Sequence, residues 1–424
     1  MSRLSQGRKI CVLMLLEAIT PLCYGHSQLV MNNYRKVIVF LGDGMADEPL
    51  AALNGRTPLQ TAHTPALDSI ARNGRSGTLL TLPAGYPTSS DVANMSVLGC
   101  DLATECCGRG PLEAASQGIP LGPQDVCFRI NLVTVDSAGI LRDFSGGHIA
   151  QTDAASAIAA LNAVLGTASI RFHPGVSYRN LLILSGPEFS DAVVCDKPDD
   201  NHGNAVADHL PRGKSEVGQH TAAVLRDLIA RASVVLAGRE ANAIWPWSGG
   251  RAGAIHSLGD RFGIRAAVIS AVDVINGLGR CMGMNVIRVP GATGYIDTNY
   301  EGKADAAIAA IQTHDFVYVH VEAIDEVSHA QNLALKLKAI EDFDHRLVAR
   351  VLAACGPDVT CVVLPDHPVP LATGKHTRTP VPVAICGPGF PPDGVQSYDE
   401  VCALHGALGA LKGPDLMNLL FARH

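Results

Sequence analysis

Seven residues of this 424-residue chain pair the side chains that hold divalent cations with one hydroxyl: Asp43, Ser90, Asp325, His329, Asp366, His367 and His376. Taken singly, each has an ordinary explanation. Asp43 stands in Gly42-Asp43-Gly44, a common turn, and Ser90 reads as the N-cap of a short helix. Asp325 and His329 would look the same as a capping carboxylate and a surface imidazole. Their positions set them apart. The apolar run 37–41 stops at Asp43, and the run 359–364, VTCVVL, stops at Pro365-Asp366-His367; both read as buried strands. A third run, 315–322 (DFVYVHVE), leads to Asp325 and, four residues on, to His329. One helical turn puts that pair on one face, as two ligands of one ion require. His376 lies in a proline-flanked loop before a last strand. All seven fall at strand ends or in the loops that follow, the edge at which open α/β sheets bind ligands. A serine hydroxyl is unreactive at its own pKa, so Ser90 as a nucleophile needs a bound cation, and a helix N-terminus there would favour an anion. Mixed Asp and His ligation suits Mn, Zn or Co better than Ca or an all-oxygen Mg site.

The elements that position these residues follow from patterning. A loop with two Thr-Pro pairs leads to a helix with Thr64 before it and Pro65 in its first turn, ended by Gly74 and followed by a strand around 78–82. After Ser90, Val92, Met95, Ser96 and Leu98 fit the buried side of a short helix. The 126–135 strand places Arg129 and Asn131 on one face. The stretches 154–163 and 304–311 read as packing helices, and Trp245 and Trp247 as core or interdomain anchors. Length suggests two domains. Hydrophobic residues at 47% against 17% charged exclude a largely disordered chain. A net charge of -7 argues against a nucleic-acid partner, and an anionic ligand then needs a local basic cluster. Arg109, Arg129, His148, Arg179 and Lys303 are the candidates for it, since Arg forks onto phosphate or carboxylate. Twelve cysteines without repeated spacing read as reduced, packed thiols, which points to the cytoplasm. Residues 1–30 carry Arg3, Arg8 and Lys9 before an apolar run that Glu17 interrupts; an extension or an overlong gene start is favoured over an export signal. No other stretch is apolar for long enough to span a bilayer.

The segments GDGMAD, SSDVANMSVLG, GRGPLEAASQGI, FRINLVT, GVSYRN, VISAVD, PGATGYIDTNYEGK, HVEAIDE, KAIEDFD and PDHPVP resemble, in order and over nearly the whole chain, the archaeal-type 2,3-bisphosphoglycerate-independent phosphoglycerate mutases of the alkaline phosphatase superfamily. The resemblance implies an α/β fold: a mostly parallel sheet flanked by helices, with an inserted second α/β (α+β) domain. Its divisions would be an extension at 1–30, a discontinuous metal-binding core at 31–109 and 291–424, and a substrate-binding insert at 110–290. It also implies two divalent ions, manganese first with Zn, Co or Mg as alternatives, one on Asp325, His329 and His376 and the other on Asp43, Ser90, Asp366 and His367. Ser90 would be the nucleophile that carries the phosphoryl group between 3- and 2-phosphoglycerate, without 2,3-bisphosphoglycerate. The implied partner is a small phosphorylated acid, with no nucleic acid and no membrane; the oligomeric state is not legible. A general base is expected from the insert, with Asp143 and Asp200 as candidates. A homoserine-kinase-like phosphotransferase and a metal-dependent phosphatase share the same metal core. The chain departs from the family pattern at Thr88-Ser89, where Pro-Gly is usual, and at Ser328, where glycine is usual; a lost glycine narrows the backbone paths open to a loop.

Overall fold

The computed structural model describes residues 36–253 and 255–421; the reading of residues 1–30 lies outside them. The strand Lys36–Gly42 is almost wholly buried, which its uniform run of branched and aromatic residues requires. It lies between Phe316–Val321 and Val359–Leu364, parallel to both. The full eight-stranded sheet runs Asn285–Ile287, Ala266–Ile269, Phe316–Val321, Lys36–Gly42, Val359–Leu364, Val381–Cys386, Arg75–Leu80, Gly409–Lys412. Only Val381–Cys386 is antiparallel to its neighbours, so the expected mostly parallel α/β sheet is what forms.

Successive side chains of the Lys36–Gly42 strand enter opposite cores. Val37, Val39 and Leu41 pack with the helices Ser90–Val97, Asp273–Cys281 and Gly413–Phe421. Ile38 and Phe40 pack with Pro65–Arg72, Tyr300–Thr313 and Leu333–Asp342. Thr64 precedes the first of these helices without a side-chain capping bond. The strand expected at 78–82 is Arg75–Leu80. It starts directly after Gly74, where a Cβ would stand 2.0 Å from the carbonyl oxygen of Ile385, so the chain pairs at once with the neighbouring strand.

A second sheet joins Leu141–Asp143, Asp125–Val135, Arg179–Ser185 and Ile170–Val176 in that order, with Ala243–Arg251 on the other side of Asp125–Val135. Its core is built on Phe128, Ile130, Leu182, Leu184 and the helices Gln151–Leu165 and Glu216–Val235. The strands Ala266–Ile269 and Asn285–Ile287 fall inside the expected 110–290 insert but pair in the eight-stranded sheet, so the second sheet closes at Arg251.

Candidate active site

Gly42 lies opposite Val321, and Leu41 opposite both His320 and Leu364. The C-terminal ends of three parallel strands are therefore level, and the residues that follow them converge. Asp43 is fully buried and its amide donates to the Val321 carbonyl at 2.9 Å. At Gly44 φ is +63°, and a Cβ would stand 2.8 Å from Cα of Asp325; glycine alone lets this loop close on the neighbouring ligand. The Gly44 amide donates to Asp366 Oδ1 at 3.2 Å, and Asn94 Nδ2 donates to Asp366 Oδ2 at 2.9 Å.

Ser90 is the first residue of its helix; Ser89 is the N-cap and makes no side-chain capping bond. The Ser90 hydroxyl is thus not spent on capping, and it lies 3.2 Å from His367 Nε2. His367 Nε2 is in turn 3.4 Å from both Asp43 Oδ1 and Asp366 Oδ2. On the helix Ala323–His329, His329 Nε2 is 3.3 Å from Asp325 Oδ2. His376 Nε2 is 2.9 Å from His329 Nε2 and 3.4 Å from Asp325 Oδ1, and its ring stacks on His367 at 3.8 Å. All seven residues meet at one place. The departures in the loops are absorbed: Ser89 has φ of -149°, open to any residue, and Ser328 is helical, its hydroxyl donating to the Ile324 carbonyl at 2.6 Å.

The cluster carries more negative charge than the chain itself neutralises. Burial, then repulsion from Asp366, Glu322 and Asp325, lifts the Asp43 carboxyl well above the usual range. Burial, with Asp325 adding, pushes Glu322 up to about 8, and burial leads again in raising Asp366 to about 7. Burial would also raise Asp325, but the adjacent imidazoles of His329 and His376 hold it well below the ordinary value. Burial would lower His329, but its contact with and attraction to the Asp325 carboxylate, with the Gly374 carbonyl adding, together lift it to about 9. Burial, then the neighbouring His376, drives His367 well below its usual pKa, leaving a neutral imidazole. Asp43 Oδ1, Asp325 Oδ1, His367 Nδ1 and His376 Nδ1 are buried without a hydrogen-bond partner. Donor atoms lie within 4.8 Å of one another in the groups Asp43, Asp366, His367 and Asp325, His367, His376. Orphaned carboxylate oxygens and imidazole nitrogens gathered at one buried place fit divalent cations, which remove the cost of burying the charge.

Sequence reading passed over His320 and Glu322. In the strand Phe316–Val321 the even positions share one face. Phe316 and Tyr318 fill the core there, the Tyr318 hydroxyl donates to Asn94 Oδ1 at 2.6 Å, and His320 Nε2 sits 2.9 Å from Asp43 Oδ2. Tyr318, His320 and Glu322, polar-capable at every second residue of a buried strand, were the available signal.

The basic candidates divide. Arg109 pairs with Asp91 at 3.0 Å and Arg129 with Glu113 at 2.9 Å, and both guanidiniums stack on the buried Trp247, at 5.7 and 4.7 Å. Arg179 is exposed and lies over Tyr178, and its charge reaches Glu326 on the helix bearing Asp325. His148 is exposed on a left-handed residue with φ of 53°. Lys303 differs from expectation: it is fully buried and its Nζ donates to the His320 carbonyl at 2.8 Å, so it braces the strand end beneath the cluster instead of lining a cleft. Asp143 is a poor base, because Ser145 and the Gly147 amide hydrogen-bond its carboxylate and hold its pKa below the ordinary value against burial. Asp200 is exposed in the short turn Asp199–Asn201.

A mostly parallel α/β sheet that gathers Asp and His side chains around a serine at a helix N-terminus has the donor set of a divalent-cation site. The family profile described as 2,3-bisphosphoglycerate-independent phosphoglycerate mutase matches residues 71–242. The chain is 45% identical over 395 residues to the 2,3-bisphosphoglycerate-independent phosphoglycerate mutase of Methanosarcina acetivorans, covering 91% of this chain and 99% of the relative. Its fold is similar to the PH0037 protein from Pyrococcus horikoshii, with TM-score 0.77, 25% identity and coverage of 91% and 96%. A cofactor-independent phosphoglycerate mutase from Thermoplasma acidophilum follows with TM-score 0.63, 28% identity and coverage of 91% and 98%. The chain belongs to the 2,3-bisphosphoglycerate-independent phosphoglycerate mutase family.

Proposed function

We propose that this chain interconverts 3-phosphoglycerate and 2-phosphoglycerate through a phosphoserine at Ser90. The observation that carries the reading is the Ser90 hydroxyl, free of any capping role and 3.2 Å from His367 Nε2, at the edge of a buried Asp and His cluster. Asp43, Ser90, Asp366 and His367 would hold one divalent cation, and Asp325, His329 and His376 the other, with manganese the best match to mixed carboxylate and imidazole donors. When bound, such cations lower the pKa of a hydroxyl and neutralise the oxygens of a transferring phosphoryl group.

In the first half-reaction Ser90 Oγ gives up its proton and forms a bond to phosphorus as the substrate's ester P–O bond breaks, and the departing oxygen takes up a proton, leaving glycerate in the cleft. In the second, the other glycerate hydroxyl gives up its proton and attacks phosphorus, the P–Oγ bond breaks, and the released serine oxygen takes up a proton. Arg109 and Arg129, held by carboxylates and by Trp247, and the exposed Arg179 and His148 supply the positive wall for phosphate and carboxylate. The second sheet, between residues 125 and 251, acts as the substrate-binding part against the metal-binding core. Water must be kept from the phosphoserine, or transfer becomes hydrolysis. The described cysteines are free thiols, only some of them buried, which suits a reducing, cytoplasmic setting, and among the described residues no helix is long and apolar enough to cross a membrane.

The test is purified protein with Mn²⁺ and 3-phosphoglycerate, no bisphosphoglycerate, and enolase to report 2-phosphoglycerate. Steady formation of 2-phosphoglycerate supports the mutase. Release of inorganic phosphate instead would make it a phosphatase, and ATP-dependent phosphorylation of homoserine a kinase.

A further inference from the structure

The stretch between the strand Arg75–Leu80 and the helix that begins at Ser90 is short of backbone partners. Pro83 and Pro87 have no N–H to give, and among the described residues no loop hydrogen bond between backbone groups involves residues 82–88. One side chain holds the stretch instead. Arg378 Nη1 donates to the Pro83 carbonyl at 2.7 Å and to the Leu82 carbonyl at 3.5 Å, and Nη2 donates to the Tyr86 carbonyl. A planar guanidinium serves several acceptors at once, which an ammonium on a flexible stem does poorly. Arg378 itself stands on a closed loop, two residues after His376. There the Thr377 amide donates to the Pro368 carbonyl at 3.1 Å and the Gly374 amide to the Pro370 carbonyl at 2.8 Å. Ser90 is thus held from two sides. On the helix side Asn94 Nδ2 donates to the Ser90 carbonyl at 2.8 Å and to Asp366 Oδ2 at 2.9 Å. On the other side the chain that arrives at Ser90 is tied by Arg378 to the loop carrying His376, with Tyr86 adding its packing on the core.

We propose that Arg378 is a positioning residue for phosphoryl transfer, an inference that rests on the phosphoserine reading of Ser90: by fixing residues 82–88 against the His376 loop, it sets where Ser90 Oγ stands relative to the cluster. Its donors are spent on backbone carbonyls, so it acts through the serine and not on the substrate. Attack on phosphorus depends on distance and direction, and a displacement of about 1 Å costs about 10²-fold in rate. Without the fork the serine is chemically intact but no longer held in line, while the basic groups of the second sheet that bind the substrate are untouched.

Wild type, Arg378→Met and Arg378→Lys are compared with Mn²⁺ and enolase coupling, at a temperature where each is fully folded, for kcat, KM and bound metal by mass spectrometry. Arg378→Met should lower kcat about 10- to 100-fold and leave KM within about threefold, with the metal content of the wild type. Arg378→Lys keeps the charge and can reach one carbonyl, so its kcat should lie between, about 3- to 10-fold down. A kcat within about twofold of wild type in either variant overturns the proposal. So does a raised KM at unchanged kcat, which makes Arg378 a substrate contact, and so does activity lost in step with bound metal, which makes it a prop for His376. If Arg378→Met does not fold, Arg378→Lys decides by the same criteria. A wild type that forms no 2-phosphoglycerate overturns the mutase reading and this inference with it, whereas an active wild type with indifferent variants removes the role of Arg378 and leaves that reading intact.

Discussion

Two buried carboxylates a few residues apart, Asp43 and Asp47, are treated in opposite ways by the same chain. Asp47 has its counter-ion built in. Lys336 Nζ reaches its Oδ2 at 2.8 Å, both side chains fully out of solvent, while the amides of Glu48 and Leu371 donate to the same carboxylate. Lys336 also donates to the Val369 carbonyl at 3.0 Å, so it ties the loop after Asp43 to the loop after His367. Asp43 has no such lysine. It faces Asp366, Glu322 and Asp325, and its Oδ1 is left without a partner. A buried carboxylate with its own cation is architecture; one among like charges is a place kept for a cation from outside. The first kind holds the loops so that the second kind can converge.

Four experiments break or sharpen that contrast. The largest effect is expected from Ser90→Ala, which should lower mutase turnover by about 10³-fold or more, because the nucleophile is removed, while melting temperature stays near that of the wild type. Turnover within about tenfold of wild type would remove the serine from the chemistry. Next, Lys336→Met strands Asp47 in the interior and should cost about 3–5 kcal/mol in denaturant unfolding. Added Mn²⁺ should not restore that loss beyond the gain the wild type shows; full rescue would mean that the two carboxylates are interchangeable. Third, chelation should destabilise the wild type, since metal at about 100 times its Kd stabilises by about 2.7 kcal/mol. A melting temperature indifferent to chelator and Mn²⁺ would contradict the imported-charge reading of Asp43.

The smallest effect concerns Glu105, another self-neutralised carboxylate, paired with Arg261 and with His256 at 2.9 Å. Burial would raise its pKa, but those hydrogen bonds bring it down to about 2 from 4.5. A depressed folded pKa means that its contribution is complete above about pH 4.5 and drains away as pH falls toward about 2. Glu105→Gln should therefore lose about 1–2 kcal/mol at pH 7 and flatten stability between those pH values. An equal loss at pH 7 and pH 2.5 would show that packing, not charge, is what Glu105 provides.

The strand ends were legible because an apolar run that stops at Asp or His announces both a buried strand and the edge where it finishes; Asp43, Asp366 and His367 come from that rule, and Asp325 with His329 from helical spacing. Their meeting place required the parallel register of the 36–42, 316–321 and 359–364 strands, which pairs residues 279 and 323 apart and leaves no local mark. His320 escaped notice because one imidazole in a run such as VYVHV looks like a packed core residue until its neighbours across the sheet are known. Lys303 misled for a related reason: lysines are mostly exposed, and nothing in the tyrosine-to-alanine stretch around it says that its ammonium ends on a backbone carbonyl. The return of the chain to the main sheet at Ala266–Ile269 hides in a strand of 4 residues whose partner, Phe316–Val321, is 50 positions on. The tolerance of serine at 89 and 328 was likewise unreadable, since it depends on backbone angles that the loops take only in the folded chain.

The most direct measurement is enolase-coupled turnover of 3-phosphoglycerate by one preparation taken through three states: as purified with Mn²⁺, after exhaustive chelation, and after Mn²⁺ is returned. Activity that vanishes on chelation and comes back with the metal, with no bisphosphoglycerate present, is the predicted result. Turnover that survives complete removal of divalent cations would contradict the claim that the unpaired carboxylates around Asp43 exist to hold them.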